Sequence, residues 1–456
     1  MTTFSQIKEH FYGRFPDLTV FDCRPDLNVT KCALEAVQFI AQGFKFPHDT
    51  HLVRSPAFYV ARGVLSALRR PNAPVPHEVR DRSVMLAVDD RRATTVDGRV
   101  VSTYFHRLAT AIPAAKRIVV TSDGASFGGW GDYEVAGSRR SFPGPEMIAL
   151  KRDLLDVHRR IAATGLLSPP EGMAFQHALA RLHAGYGGWI SVLRAARPRT
   201  LGLMCHYHKE GLIYAARSCG VRVVEFQHGL IDRNDIFYCM PAAVRDVRES
   251  ALFPDTMLTY GPYWSAILRE GHEFAATSID EIGYYVQPDS SIDEETRAFC
   301  TGAATVMVAT QPRTAEACRA YIAFLIDRHR GDDGVRILIR SHPAEGPRDY
   351  EQFAAEPNVR IANRGGIDRL LPLVRAVVSV YSTVLFDAIR HGIPSYAMHD
   401  PAYSDYIGSI SATHAIRFID ARQSPFDSTP VVPDDPGRFY LDFRPDVLER
   451  HLLAAG

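Results

Sequence analysis

Three short segments place chemically capable side chains at the ends of apolar runs. The first is Val335-Arg-Ile-Leu-Ile-Arg-Ser-His-Pro343, a β-branched run that delivers Ser341, His342 and Pro343 at its carboxyl end. In open α/β sheets that edge is where ligands sit, and Pro343, unable to continue a hydrogen-bonded ladder, fixes the turn. An imidazole held there can donate to a phosphate oxygen and stabilise charge on a leaving group; taken alone, it is equally well a histidine that ends a strand. The second segment lies forty residues on, where Ala376-Val-Val-Ser-Val-Tyr-Ser-Thr383 runs straight into a helical stretch over 384–391. Ser382 and Thr383 then fall at a helix N-terminus, where hydroxyls and free N–H groups hold an anion such as a phosphate, although plain capping is the commoner role. Asp387, about one turn inside, is within reach of a ribose hydroxyl or is simply solvated. The third is Val221-Arg-Val-Val-Glu-Phe-Gln-His-Gly-Leu230. Gly229 permits close backbone approach, and His228, with an ordinary pKa of roughly 6.5, suits a general base at neutral pH.

The elements that must position these residues follow a rhythm of short apolar runs, polar or Gly/Pro turns and helical stretches. Strands are expected over 200–205, 221–226, 256–260, 279–286, 305–310, 335–340, 358–362, 376–380 and 394–398. Several are apolar on both alternating faces, as in a parallel sheet covered by helices, and the fold class is α/β. The first half is less regular, with strands expected over 18–21, 84–88 and 117–121, helices near 28–43 and 146–164, and a Gly-rich loop over 124–131. Turn formers over 286–293 make the best linker. The expected division is an N-terminal domain over 1–286, a C-terminal domain over 287–430 and a tail over 431–456 that can return to the first domain.

Composition bounds the function classes. The 456 residues exceed one ordinary core, and Lys plus Arg balance Asp plus Glu at 52 each, so no global field draws the chain to nucleic acid or anionic lipid. Seven cysteines without a C-x-x-C pair point to a reducing cytoplasm rather than a disulfide framework. Residues 1–15 lack an apolar core, and no stretch reaches the roughly 18 apolar residues of a membrane span. P-loop, nicotinamide-binding and zincin motifs are absent, as is any Asp-x-Asp pair for holding a cation. His206 and His208, with Glu210, have zinc-like residue types, but solvation or acceptor contact is the expected role.

The strand–His-Pro turn, followed some forty residues later by Tyr-Ser-Thr and a helix, resembles the GT-B glycosyltransferases of bacterial surface polysaccharides: capsule Kdo transferases, bacterial sialyltransferases and CDP-glycerol glycerophosphotransferases. The resemblance covers roughly 200–400. It implies two Rossmann-like domains facing a central cleft, with donor phosphate held by His342, Pro343, Ser382 and Thr383. Thr310-Gln311-Pro312 is similar to the Gln-Pro turn of the Kdo enzymes, and Phe226-Gln-His-Gly229 to the Trp-His-Gly whose histidine is the glycerophosphotransferase base. Thr259-Tyr-Gly-Pro-Tyr-Trp264 and Glu281-Ile-Gly283 extend it. The sialyltransferases carry an acidic base before a glycine, and Thr121-Ser-Asp123-Gly124 makes Asp123 a rival to His228. The implied activity is metal-independent transfer from a nucleotide-activated sugar, CMP-linked acidic sugars first, to a polysaccharide or glycolipid, with no cofactor. A nucleotide-sugar epimerase or hydrolase, or a nucleotide-binding assembly subunit, stands as the alternative. Cytoplasmic location is expected, with peripheral contact to the inner membrane or to other polysaccharide-assembly proteins left open.

Overall fold

The computed structural model describes residues 3–43, 75, 77, 80–88, 93–122, 131–135, 144–271, 278–288, 292–342, 345–346, 348–362, 366–411, 413, 415–427, 429–430, 432 and 435–453. Two parallel sheets organise them. The first has seven strands in the order Ser278–Glu281, Thr256–Thr259, Arg222–Phe226, Thr200–Met204, Val84–Val88, Arg117–Ser122, Tyr133–Val135. The second has six, in the order Val359–Ile361, Val335–Arg340, Ala304–Ala309, Ala376–Ser379, Ser395–Met398, Arg417–Ile419. Val84–Val88, Thr200–Met204, Thr256–Thr259 and Ala376–Ser379 are buried along their whole lengths, which is why they read as continuous apolar runs rather than alternating ones.

Helices cover these faces. Pro169–Ala196, 28 residues long, is started by a capping box in which Ser168 and Glu171 satisfy each other's backbone donors. Glu171 also takes two bonds from the Arg14 guanidinium at 2.9 Å, tying the first helix, Phe4–Arg14, to the start of the long one. The strand expected over 18–21 is instead a 3-10 turn, Leu18–Phe21. Asp17 accepts from Thr19 N at 2.9 Å, and that local side-chain bond competes with extended backbone. The run over 279–286 is strand only through Glu281; Gly283 then turns at φ +79°.

The last segment lies against the first sheet. Leu441 N donates to Tyr260 O (2.9 Å), Tyr284 N to Leu441 O (2.8 Å) and Arg444 N to Ile282 O (2.8 Å). Trp264 Nε1 donates to Phe439 O at 2.7 Å. The helix Pro445–Leu452 buries Val447, Leu448 and Leu452. No helix among the described residues is long and apolar enough to cross a membrane.

Candidate active site

Parallel strands present their carboxyl ends on one edge, so side chains just beyond neighbouring strands converge there. In the second sheet the three adjacent strands Val335–Arg340, Ala304–Ala309 and Ala376–Ser379 bring Ser341 and His342, Thr310 and Gln311, and Ser382 and Thr383 to the same edge. The turn after His342 is held by Glu345. Its Oε2 accepts from His342 N (2.9 Å) and from the buried Thr310 hydroxyl, and its Oε1 accepts from Tyr350 OH (2.8 Å). The imidazole is thus carried on a backbone pinned from three sides. Ser341 Oγ is buried with no hydrogen-bond partner among the described residues, an arrangement that leaves a hydroxyl to be satisfied by something else. Pro343 lies outside the described residues.

Ser382 is 5% exposed, and its Oγ accepts from Val384 N at 3.3 Å. It therefore performs the local capping that the sequence also allowed. Thr383 precedes the helix Val384–Arg390 with no side-chain cap of its own, leaving its hydroxyl outside the helix's hydrogen bonding. Asp387 acts electrostatically on Tyr284, Tyr440 and Arg390, so its charge is felt by the aromatic group beneath the tail. Gln311 precedes a short 3-10 turn and accepts through its backbone from Thr314 N.

In the first sheet the neighbouring strands Thr200–Met204 and Arg222–Phe226 carry Cys205 to His208 and Gln227 to Gly229 at the same edge. Gln227 bridges the turn: its Nε2 donates to Gly229 O and its Oε1 accepts from Tyr260 N, both at 2.8 Å. His228 Nε2 lies 3.3 Å from Cys205 Sγ and 3.4 Å from Tyr207 OH. Asp123, the rival base, lies outside the described residues. His206 is taken up by the fold, fully buried between Glu225 (2.7 Å) and Phe237 O (3.1 Å). Burial works against the Glu225 charge, yet His206, Tyr238 and His228 outweigh it and hold the carboxyl down to about 2. His208 faces Glu35 at 3.0 Å, and Glu210 lies 3.9 Å from the buried Lys31. Among the described residues no group of three His, Cys, Asp or Glu side chains is arranged to hold a metal ion.

The two edges face each other. A Cβ built on Gly229 would lie 3.7 Å from Thr383 Cγ2. Beside this approach is a cleft of about 220 Å³ lined from the first half by Tyr207, His208, Asp235 and Phe237, and from the second by Arg313, Tyr381, Tyr403 and Tyr406. Stacked ring pairs form much of its wall, Tyr207 on Phe237 at 4.7 Å and Tyr381 on Tyr403 at 4.9 Å. Across it Tyr406 OH reaches Asp235 Oδ2 (3.3 Å), Ser409 N reaches Asp232 Oδ2 (3.1 Å) and Asn234 Nδ2 reaches Asp405 O (2.6 Å). Burial, reinforced by the Asp232 charge, pushes the Asp235 carboxyl up to about 7 against the bond from Phe237 N; burial likewise raises Asp232 to about 6. Glu345, Tyr207 and Asp235 are the site residues that motif reading missed. Tyr207, three residues past the end of Thr200–Met204, has a strand-end position in common with His228, whereas Asp235, nine residues past Phe226, has no such signal.

Two parallel-sheet α/β halves, carboxyl edges opposed across a cleft, define a GT-B-like fold. No protein-family profile matches the chain, and no curated protein matches it in sequence. Solved structures do match. A Listeria monocytogenes protein assigned as a UDP-N-acetylglucosamine 2-epimerase aligns over 81% of this chain and 96% of its own at 10% identity and a TM-score of 0.50. S. aureus MnaA in complex with UDP aligns over 81% and 95% at 11% identity and 0.51. The glycosyltransferase SnogD from Streptomyces nogalater aligns over 75% and 88% at 13% identity and 0.47.

Proposed function

We propose that the chain is a GT-B enzyme of nucleotide-activated sugars, and that it transfers the sugar to an acceptor hydroxyl. The observation that carries this reading is the opposition of two unlike edges. One presents hydroxyls and an imidazole on a pinned turn, suited to a phosphate leaving group; the other presents a histidine suited to taking a proton. In this reading Ser341, His342, Pro343, Thr383 and Gln311 form the donor's phosphate surroundings, with Ser382 shaping the turn and Asp387 one turn further in. His228 takes the acceptor's proton, with Asp123 as its rival, while the acceptor oxygen displaces the nucleotide phosphate in line. The motif resemblance puts CMP-linked acidic sugars first as donors and a polysaccharide or glycolipid as acceptor, without metal, in two domains meeting near 286.

A second reading, nucleotide-sugar epimerase or hydrolase, is favoured by the two structures aligned at a TM-score of 0.50 or above, one assigned as an epimerase and the other holding UDP. Fold does not decide between them. Incubating candidate donors alone and with an acceptor panel does. Transfer expects a donor consumed only, or far faster, when acceptor is present. Rapid consumption with donor alone, giving an isomer or free sugar, would establish the second reading instead.

A further inference from the structure

Tyr207 lines the cleft, and its hydroxyl lies 3.4 Å from His228 Nε2. From this geometry we infer that Tyr207 is the group that meets the acceptor hydroxyl, relaying its proton to His228. The inference rests on the transfer reading above and names a residue that reading leaves out.

Local structure supports the role. The segment after Thr200–Met204 departs from ordinary backbone twice, with Cys205 at φ +61° and His208 at φ +66°. Neither is glycine, and conformations of this kind persist only where the surroundings impose them, often at functional sites. Between those two residues the Tyr207 ring is clamped by stacking on Phe237 at 4.7 Å and 18° and by edge contacts with His206 at 5.9 Å and Tyr238 at 6.1 Å. A ring fixed this way has little freedom to carry its hydroxyl elsewhere. The groups whose charge bears on it are Cys205, Tyr406 and Asp235, and burial together with these raises its phenol well above the ordinary value. Its resting form is therefore the neutral phenol, able to pass a proton on as it takes one. A distance of 3.4 Å is long for a hydrogen bond, but catalytic bonds are commonly long before substrate binds.

The step balances. The acceptor proton passes to Tyr207 Oη as the phenol's own proton passes to His228 Nε2. The acceptor oxygen's lone pair forms the new bond to the anomeric carbon, and the pair from the broken C–O bond leaves with the nucleotide phosphate. Nε2 must begin unprotonated, as the acceptor of the Tyr207 hydroxyl in this step.

Tyr207→Phe in the full chain tests this, since the ring and its stacking remain. Ring-nitrogen NMR of His228 across pH 5–9 should show a displaced titration midpoint in the variant, because the hydroxyl beside Nε2 is gone. Transfer should fall roughly tenfold or more, while the thermal shift given by nucleotide stays as in wild type. Cys205→Ala discriminates between Tyr207 and Cys205 as neighbours of Nε2, and should move the midpoint less than Tyr207→Phe. If Cys205→Ala produces the larger shift, or if Tyr207→Phe leaves midpoint and rate unchanged in an active protein, the relay is overturned alone. A wild type that transfers nothing to any acceptor overturns the transfer reading, and the relay with it.

Discussion

At His342 the turn is held through the backbone, whose N–H is bonded to Glu345 and Thr310. Removing the ring therefore leaves the turn in place. His342→Ala is expected to weaken nucleotide binding by roughly 1.5–3 kcal/mol, the worth of a charge-assisted contact, with the melting temperature of the free protein nearly unchanged; calorimetry and a thermal melt check both. Ser382 and Thr383 should behave differently from each other. Ser382→Ala removes a bond to Val384 N and should lower stability by about 0.5–2 kcal/mol, whereas Thr383→Ala should act on donor affinity. Asp235 gives a pH test. Its folded pKa of about 7 lies above the unfolded value, so the folded state binds the extra proton between about pH 4 and 7, and stability from this group is present at acid pH and lost as pH rises through 7. Asp235→Asn should flatten that slope and raise the melting temperature at pH 8. Motif reading could see His228, His342 and the Ser-Thr pair because strand ends announce themselves. It did not single out Tyr207, although a strand end lies three residues before it, nor Asp235, because their surroundings come from contacts between segments 30 or more residues apart, or from opposite halves of the molecule.

Among the elements, the second-half strands were legible because buried β-branched and apolar residues cluster in short runs, and 335–340, with Arg336 inside it, is expected and found with the same bounds. The edge strand Arg417–Ile419 was not, being three residues long and partly exposed. The long helix Pro169–Ala196 also went unread, since its Gly and His residues blur the periodic stripe and its support comes from packing on Thr30–Ala41 and Glu210–Ser218. Gly283 was quoted only as part of a resemblance, yet its structural need is definite. At φ +79°, a Cβ there would sit 2.0 Å from Asp442 O, where the tail crosses. Gly283→Ala should cost at least about 1–3 kcal/mol from backbone strain alone, read as a lowered denaturation midpoint, and should loosen the tail to proteolysis.

For the whole molecule, the α/β class followed from the strand rhythm, while two domains facing a cleft were expected from the motif resemblance alone, because a chain pattern carries no distance between domains. The cleft of about 220 Å³ is smaller than the roughly 300–1,000 Å³ of ordinary ligand sites, so under the proposed function a nucleotide sugar would extend beyond it, and the second sheet's edge with His342 and Thr383 is where its phosphate is proposed to lie. The proposed function therefore requires nucleotide binding at this edge. Its most direct measurement is a titration of CMP, CDP, UDP and GDP into wild type and His342→Ala, followed by melting temperature and calorimetry, since a ligand of the folded state raises stability. At least one nucleotide should raise the wild-type melting temperature and bind His342→Ala roughly tenfold or more weakly. No binding by any of the four, or equal binding to both proteins, would contradict that requirement.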